Sequence, residues 1–124
     1  MRADGADWTS TFRSLATSLR SEQPAAELPP GIEAWRPRWQ AALDTGGREP
    51  GLVADAMDKV NPAYIPRNHL VAEALAAATE GDLGPFDRLL GVVTRPFDTD
   101  GVDPAYGQPA DDEFARRFRT YCGT

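Results

Sequence analysis

Eleven prolines and eleven glycines interrupt a chain of 124 residues, and this punctuation decides what the chain can fold into. A proline lacks the amide that a helix interior needs and biases the residue before it toward extended backbone, while glycine favours the turn that ends a helix. Between the interruptions the apolar residues recur at helical spacing, so short helices separated by loops follow. The length is that of one domain, and an apolar fraction of 41% with 9% aromatics is enough for a single core. The expected fold is all-α, five to six short helices in an irregular bundle across residues 1–124.

The helices can be read in order. Trp8, Phe12, Leu15, Ala16 and Leu19 share one face, with Asp7 as N-cap. Residues 21–31, running through Pro24, Pro29, Pro30 and Gly31, read as a linker. Ile32, Trp35, Trp39 and Leu43 write a second helix that Pro37 should kink or restart and that Gly46-Gly47 ends; the two tryptophans are expected in the core. Leu52, Val53, Ala56, Met57 and Val60 form a third, with Pro50 in its first turn and Asn61-Pro62 after it. The most regular element spans about 66–80, carries Leu70, Val71, Ala74, Leu75 and Ala78, and stops at Gly81. Phe86, Leu89, Leu90 and Val93 define a fifth helix ending near Arg95-Pro96. Residues 96–110 hold three prolines and two glycines among aspartates and read as an irregular loop. A last helix opens on Asp111, Asp112 and Glu113, aligns Phe114, Phe118 and Tyr121, and ends among Arg116, Arg117 and Arg119. Residues 121–124 read as a mobile tail.

Nineteen acidic residues against 13 basic ones give a net charge of -6, which repels phosphate backbones, so nucleic acid is not an expected partner. No stretch approaches the roughly 20 apolar residues that cross a bilayer, and the start lacks the apolar stretch of a signal peptide. A cytoplasmic location is the expectation. Cys122 is the only cysteine and His69 the only histidine, which leaves no internal disulfide and no zinc spacing.

The remaining chemistry-bearing patterns favour structural roles. His69 is read as a packed histidine, because a nucleophile–base pair has no other histidine to use. Asp55 and Asp58, three apart on a helix, are read as a solvated face. Asp98, Asp100 and Asp103 miss the register of a calcium loop. Gly81, Gly84 and Gly91 follow no strand and precede no lysine, so they form no phosphate cradle. No catalytic, cofactor-binding or metal-binding residue is assigned to the chain.

One ordered series goes beyond composition. Met57-Asp58-Lys59-Val60-Asn61-Pro62-Ala63-Tyr64-Ile65-Pro66-Arg67-Asn68-His69, followed by Glu73-Ala74, Gly81-Asp82, Leu89-Leu90 and Arg95-Pro96-Phe97-Asp98, resembles the C-terminal region of the selenoprotein O family. The ending Tyr121-Cys122-Gly123-Thr124 is similar to that family's terminal signature, in which selenocysteine or cysteine stands third from the end. Trp8 to Arg13 and Trp35 to Trp39 extend the likeness across most of the chain.

The resemblance implies a much longer parent with a kinase-like fold, which binds ATP with magnesium and transfers AMP to Ser, Thr or Tyr hydroxyls of proteins. The nucleotide-binding and metal-binding residues of that family lie upstream of anything matching here, so this chain alone is expected to be inactive. The resemblance also implies a redox role for Cys122, paired with a cysteine that this sequence does not contain. Asn61, Pro62, Arg67, Asn68 and Pro96 match the family's motifs and are read as structural.

The leading expectation is therefore a C-terminal helical segment of such an adenylyltransferase, whose partners are the kinase-like catalytic lobes, in cis or as a separate chain. The alternative is a free-standing helical interaction or regulatory module. If the segment normally packs on a larger body, the isolated chain should leave apolar faces uncovered and be open to self-association.

Overall fold

The computed structural model describes residues 6–20 and 28–119. They form six α-helices: α1 (Trp8–Ser18), α2 (Pro30–Thr45), α3 (Pro50–Val60), α4 (Asn68–Thr79), α5 (Gly84–Val93) and α6 (Asp112–Arg117), with a short 3₁₀ turn at Pro104–Gly107 before the last. No strand occurs among the described residues, so the chain is all-helical.

Local chemistry accounts for where three of the six helices begin. The Asp7 carboxylate accepts the Ser10 amide at 2.8 Å and starts α1. Glu49 does the same for α3, accepting the amides of Gly51 and Leu52 at 3.2 and 3.1 Å, with Pro50 in the first helical position. Asp111 accepts the Phe114 amide at 2.7 Å and starts α6. Gly47 (φ 61°) and Gly81 (φ 91°) take the left-handed backbone that follows α2 and α4.

Three boundaries differ from the pattern read in the sequence. α2 runs unbroken through Pro37 and begins at Pro30, so the last two residues of the 21–31 span are helical; a proline in the first turn costs no hydrogen bond. Residues 21–27 lie outside the described residues. α4 begins at Asn68 rather than near 66, because Arg67 is extended (φ -76°, ψ 132°). α6 stops at Arg117, with Phe118 extended, and Tyr121 and the rest of the 121–124 tail lie outside the described residues.

Two helix pairs organise the packing: α1 lies against α3, and α4 against α5. Leu15 and Ala16 of α1 and Ala54 of α3 are buried in the first pair, Ala74 of α4 and Leu89 of α5 in the second. The small residues Ala16, Ala54 and Ala74 let the backbones approach closely. Tyr64, on the segment between α3 and α4, is also buried.

The expected core position of the two tryptophans is not what is found. α2 buries none of its residues; Trp35 is 41% exposed. The two indoles stack on each other at 5.7 Å and 19°, covering one another's faces instead of entering a neighbouring helix. Trp8, placed by its spacing on the inner face of α1, is 63% exposed and leans on Phe12 at 4.9 Å.

Candidate functional site

The segment from Asn61 to His69 is the structural centre of the molecule. Asn61 closes α3, its backbone amide and its side-chain Nδ2 both donating to the Met57 carbonyl at 2.9 Å. The Pro96 carbonyl, at the exit of α5, then accepts two consecutive amides, Ala63 at 2.7 Å and Tyr64 at 3.2 Å. The crossing between the two helix pairs is thereby tied to the far end of the second one. Pro62 is half-buried beside these bonds and Asn68 is exposed in the first turn of α4.

Arg67 is the buried charge of this segment, with its side chain 6% exposed. Its guanidinium meets Asp7 in a fork, Nη1 to Oδ2 at 2.9 Å and Nη2 to Oδ1 at 3.0 Å. Asp7 therefore caps α1 with one oxygen while both oxygens hold Arg67. The hydrogen bonds from Arg67 keep the Asp7 carboxyl far below the usual carboxylate range, overcoming the opposite push of burial.

A second charge cluster fastens α1 to α3. Arg20 reaches Asp55 through Nη2 and Asp58 through Nη1, both at 2.7 Å, while Arg13 Nη1 lies 2.8 Å from Asp58 Oδ1. That last contact is a charge contact outside hydrogen-bond geometry; the same nitrogen donates weakly to the Asp58 and Asn61 carbonyls at 3.4 Å. Asp58 departs from the solvated face expected for Asp55 and Asp58: it is half-buried between Arg13 of α1 and Arg20 just beyond that helix. Asp55 and Asp58 together raise the Arg20 pKa, chiefly through the bond to Asp55.

Beside Arg67 a cleft of about 590 Å³ opens between the 65–69 segment and α6, lined by Asp7, Ile65, Arg67, His69, Phe114 and Phe118 among others. Phe114 stacks on Phe118 at 4.9 Å and meets the His69 ring edge-on at 5.9 Å. The buried His69 Nδ1 has no hydrogen-bond partner among the described residues. Among the described residues that line this cleft there is no hydroxyl, thiol or amine, and the one carboxylate is committed to Arg67.

The other sequence candidates are dispersed. Asp98 Oδ1 accepts the Asp100 amide at 3.2 Å and Asp103 Oδ1 the Ala105 amide at 2.9 Å, each within its own turn. Gly84 opens α5 and Gly91 lies inside it, apart from Gly81. Cys122 lies outside the described residues. Among the described residues, no three His, Cys, Asp or Glu side chains converge to hold a metal ion, and Lys59 stands exposed near the end of α3. No helix among the described residues is long and apolar enough to cross a membrane.

The tertiary role of Asp7, legible only as a cap, and the Arg13–Arg20–Asp55–Asp58 cluster were not apparent from the sequence. The one signal was compositional: Lys59 is the only lysine among 13 basic residues, and arginine is the residue suited to forked carboxylate pairing.

The molecule is an all-helical module in which ion pairs join the crossing segment and α3 to α1 and its end. The chain is homologous to protein nucleotidyltransferases of the YdiU type. It is 50% identical to the one from Rhodococcus jostii (strain RHA1) over 123 residues, which is 97% of this chain and 24% of that protein. Against the nucleotidyltransferase of Mycolicibacterium paratuberculosis it is 45% identical over 132 residues, all of this chain and 25% of the relative. Against that of Cereibacter sphaeroides (strain KD131) it is 45% identical over 127 residues, with the same coverage. The chain thus spans about a quarter of the length of the curated relatives it matches. No family model matches it, and no solved structure does.

Proposed function

We propose that this chain is the C-terminal helical segment of a protein adenylyltransferase, non-catalytic by itself, serving to complete and brace a kinase-like body that carries the nucleotide site. The observation that carries the reading is the coverage: half of the residues are identical across 97% of this chain, yet the match takes in only 24% of the Rhodococcus protein. The parent transfers AMP from ATP, with magnesium, to Ser, Thr or Tyr hydroxyls of proteins in the cytoplasm, using residues that this chain does not supply. Within the segment, Asn61, Pro62, Arg67, Asn68 and Pro96 are structural: they cap α3, cross between the helix pairs and hold α1 in place. Cys122 is the redox-responsive position, its partner lying in the catalytic body.

Two measurements test this. The DNA upstream of the Met1 codon should encode kinase-like lobes with nucleotide-binding motifs, in frame or disrupted; unrelated DNA would favour the free-standing interaction module instead. The purified 124-residue chain should transfer no labelled AMP from ATP and magnesium to itself or to a generic protein acceptor, and measurable transfer would overturn the non-catalytic assignment.

A further inference from the structure

The apolar side chains left uncovered are not scattered evenly. On α3, Leu52 and Val60 are 68% and 72% exposed on an open surface bordered by Arg48 and Glu49. The α2 tryptophans cover each other. Between α4 and α5 the arrangement differs: a recess of about 150 Å³ is walled by Val71, Leu75, Phe86, Leu89, Leu90 and Val93, and no polar or charged residue lines it. Leu75, Phe86 and Leu90 at its rim are 53%, 41% and 46% exposed. The volume is about that of a benzene-sized group, and the recess is open at its rim to receive one.

Resting on the reading above, we infer that this recess is the anchor point at which the segment receives one bulky apolar side chain, aromatic or branched aliphatic, from the remaining body of the nucleotidyltransferase. The occupant follows from three observations. About three quarters of each relative lies outside the matched region, so a large body is available to cover the face. The recess carries no charge, although the chain has a net charge of -6; shape and apolar area select the partner, as in the central pocket of a stable interface. A symmetric pairing of two copies requires a patch that complements itself; here the exposed side chains are the walls of the recess, and wall against wall leaves it unfilled.

The test is a chimera in which the matched segment of the Rhodococcus jostii nucleotidyltransferase is replaced by this chain. Leu75→Asp combined with Phe86→Asp should lower its nucleotidyl transfer and soluble yield at least tenfold, while Leu52→Asp on α3 changes neither. In the isolated 124-residue chain the same double substitution should leave the helical circular dichroism intact. A chimera with the groove pair that stays within twofold of the unsubstituted one overturns the inference. An unsubstituted chimera that is itself inactive removes the segment reading, and the inference with it. A photo-crosslinking amino acid at Leu90 gives a readout independent of folding: adducts to residues outside the swapped segment support the inference, and adducts only to a second copy overturn it.

Discussion

The two helix pairs are built on opposite principles. α1 and α3 close over Leu15, Ala16 and Ala54 and are then fastened at their edges by four charged side chains, with Asp7 and Arg67 adding a clamp from the crossing segment. α4 and α5 bury Ala74 and Leu89 but leave an apolar recess open beside them, and no ion pair between the two helices closes it among the described residues. The first pair is held by charge as well as by its small core, although Leu52 and Val60 on the outer face of α3 stay exposed. The second has spent only part of its apolar surface, and the rest is available to another surface.

Substitutions test this contrast, beginning with the largest effect. Leu15, 2% exposed between α1 and α3, should cost about 3 kcal/mol when changed to alanine, through lost burial and the cavity left behind; urea unfolding followed by circular dichroism measures it. A loss below about 1 kcal/mol would mean that the first pair is not the tighter one.

Arg67→Met should cost about 2 kcal/mol, less than a fully buried pair would lose, because the Asp7 side chain keeps 25% of its exposure and can rehydrate. The same variant tests a pH dependence. The folded-state pKa of Asp7 lies below its ordinary 3.8, so the clamp contributes stability in full above about pH 5 and loses it as pH falls through 3.8 toward the folded value. Melting temperatures of the unsubstituted chain should fall over that window, and Arg67→Met should flatten the slope.

The recess pair, Leu75→Asp with Phe86→Asp, should lower the stability of the isolated chain by only about 1 kcal/mol, since the two side chains are 53% and 41% exposed. The smallest effect belongs to Arg20→Ala. Its side chain is 38% exposed, so despite two contacts at 2.7 Å the loss should be about 0.5 kcal/mol and should vanish in 1 M salt, where the screening length is about 3 Å.

Much of the fold was legible because prolines, glycines and caps act locally. Asp7, Pro50, Gly81 and Asp111 mark helix ends through their own backbone geometry or a bond three residues away, and periodicity places the helices between them. Pairing was not legible. Nothing in the spacing of Trp35 and Trp39 separates a helix buried against a neighbour from one whose indoles stack on each other. Arg13, Arg20 and Asp58 carry charges that a helix surface would carry anyway; only the approach of α1 to α3 turns them into a cluster. The 61–69 motif was readable as an ordered series, but its physical content, the double bond to Pro96 and the fork to Asp7, depends on partners about 30 to 60 positions away.

Asp7 has a consequence for how the molecule comes together. One carboxylate both starts α1 and seats Arg67, residues separated by 60 positions, so the first turn of that helix is finished only when a long loop has closed. Loop closure carries an entropic cost that local helix formation does not. A peptide covering α1 alone keeps the cap but loses the clamp, and its first turn frays independently; in the folded chain that turn opens only together with the crossing segment. The first-turn amides of α1 should therefore exchange with solvent at a rate set by release of Arg67 rather than by fraying of a helix end.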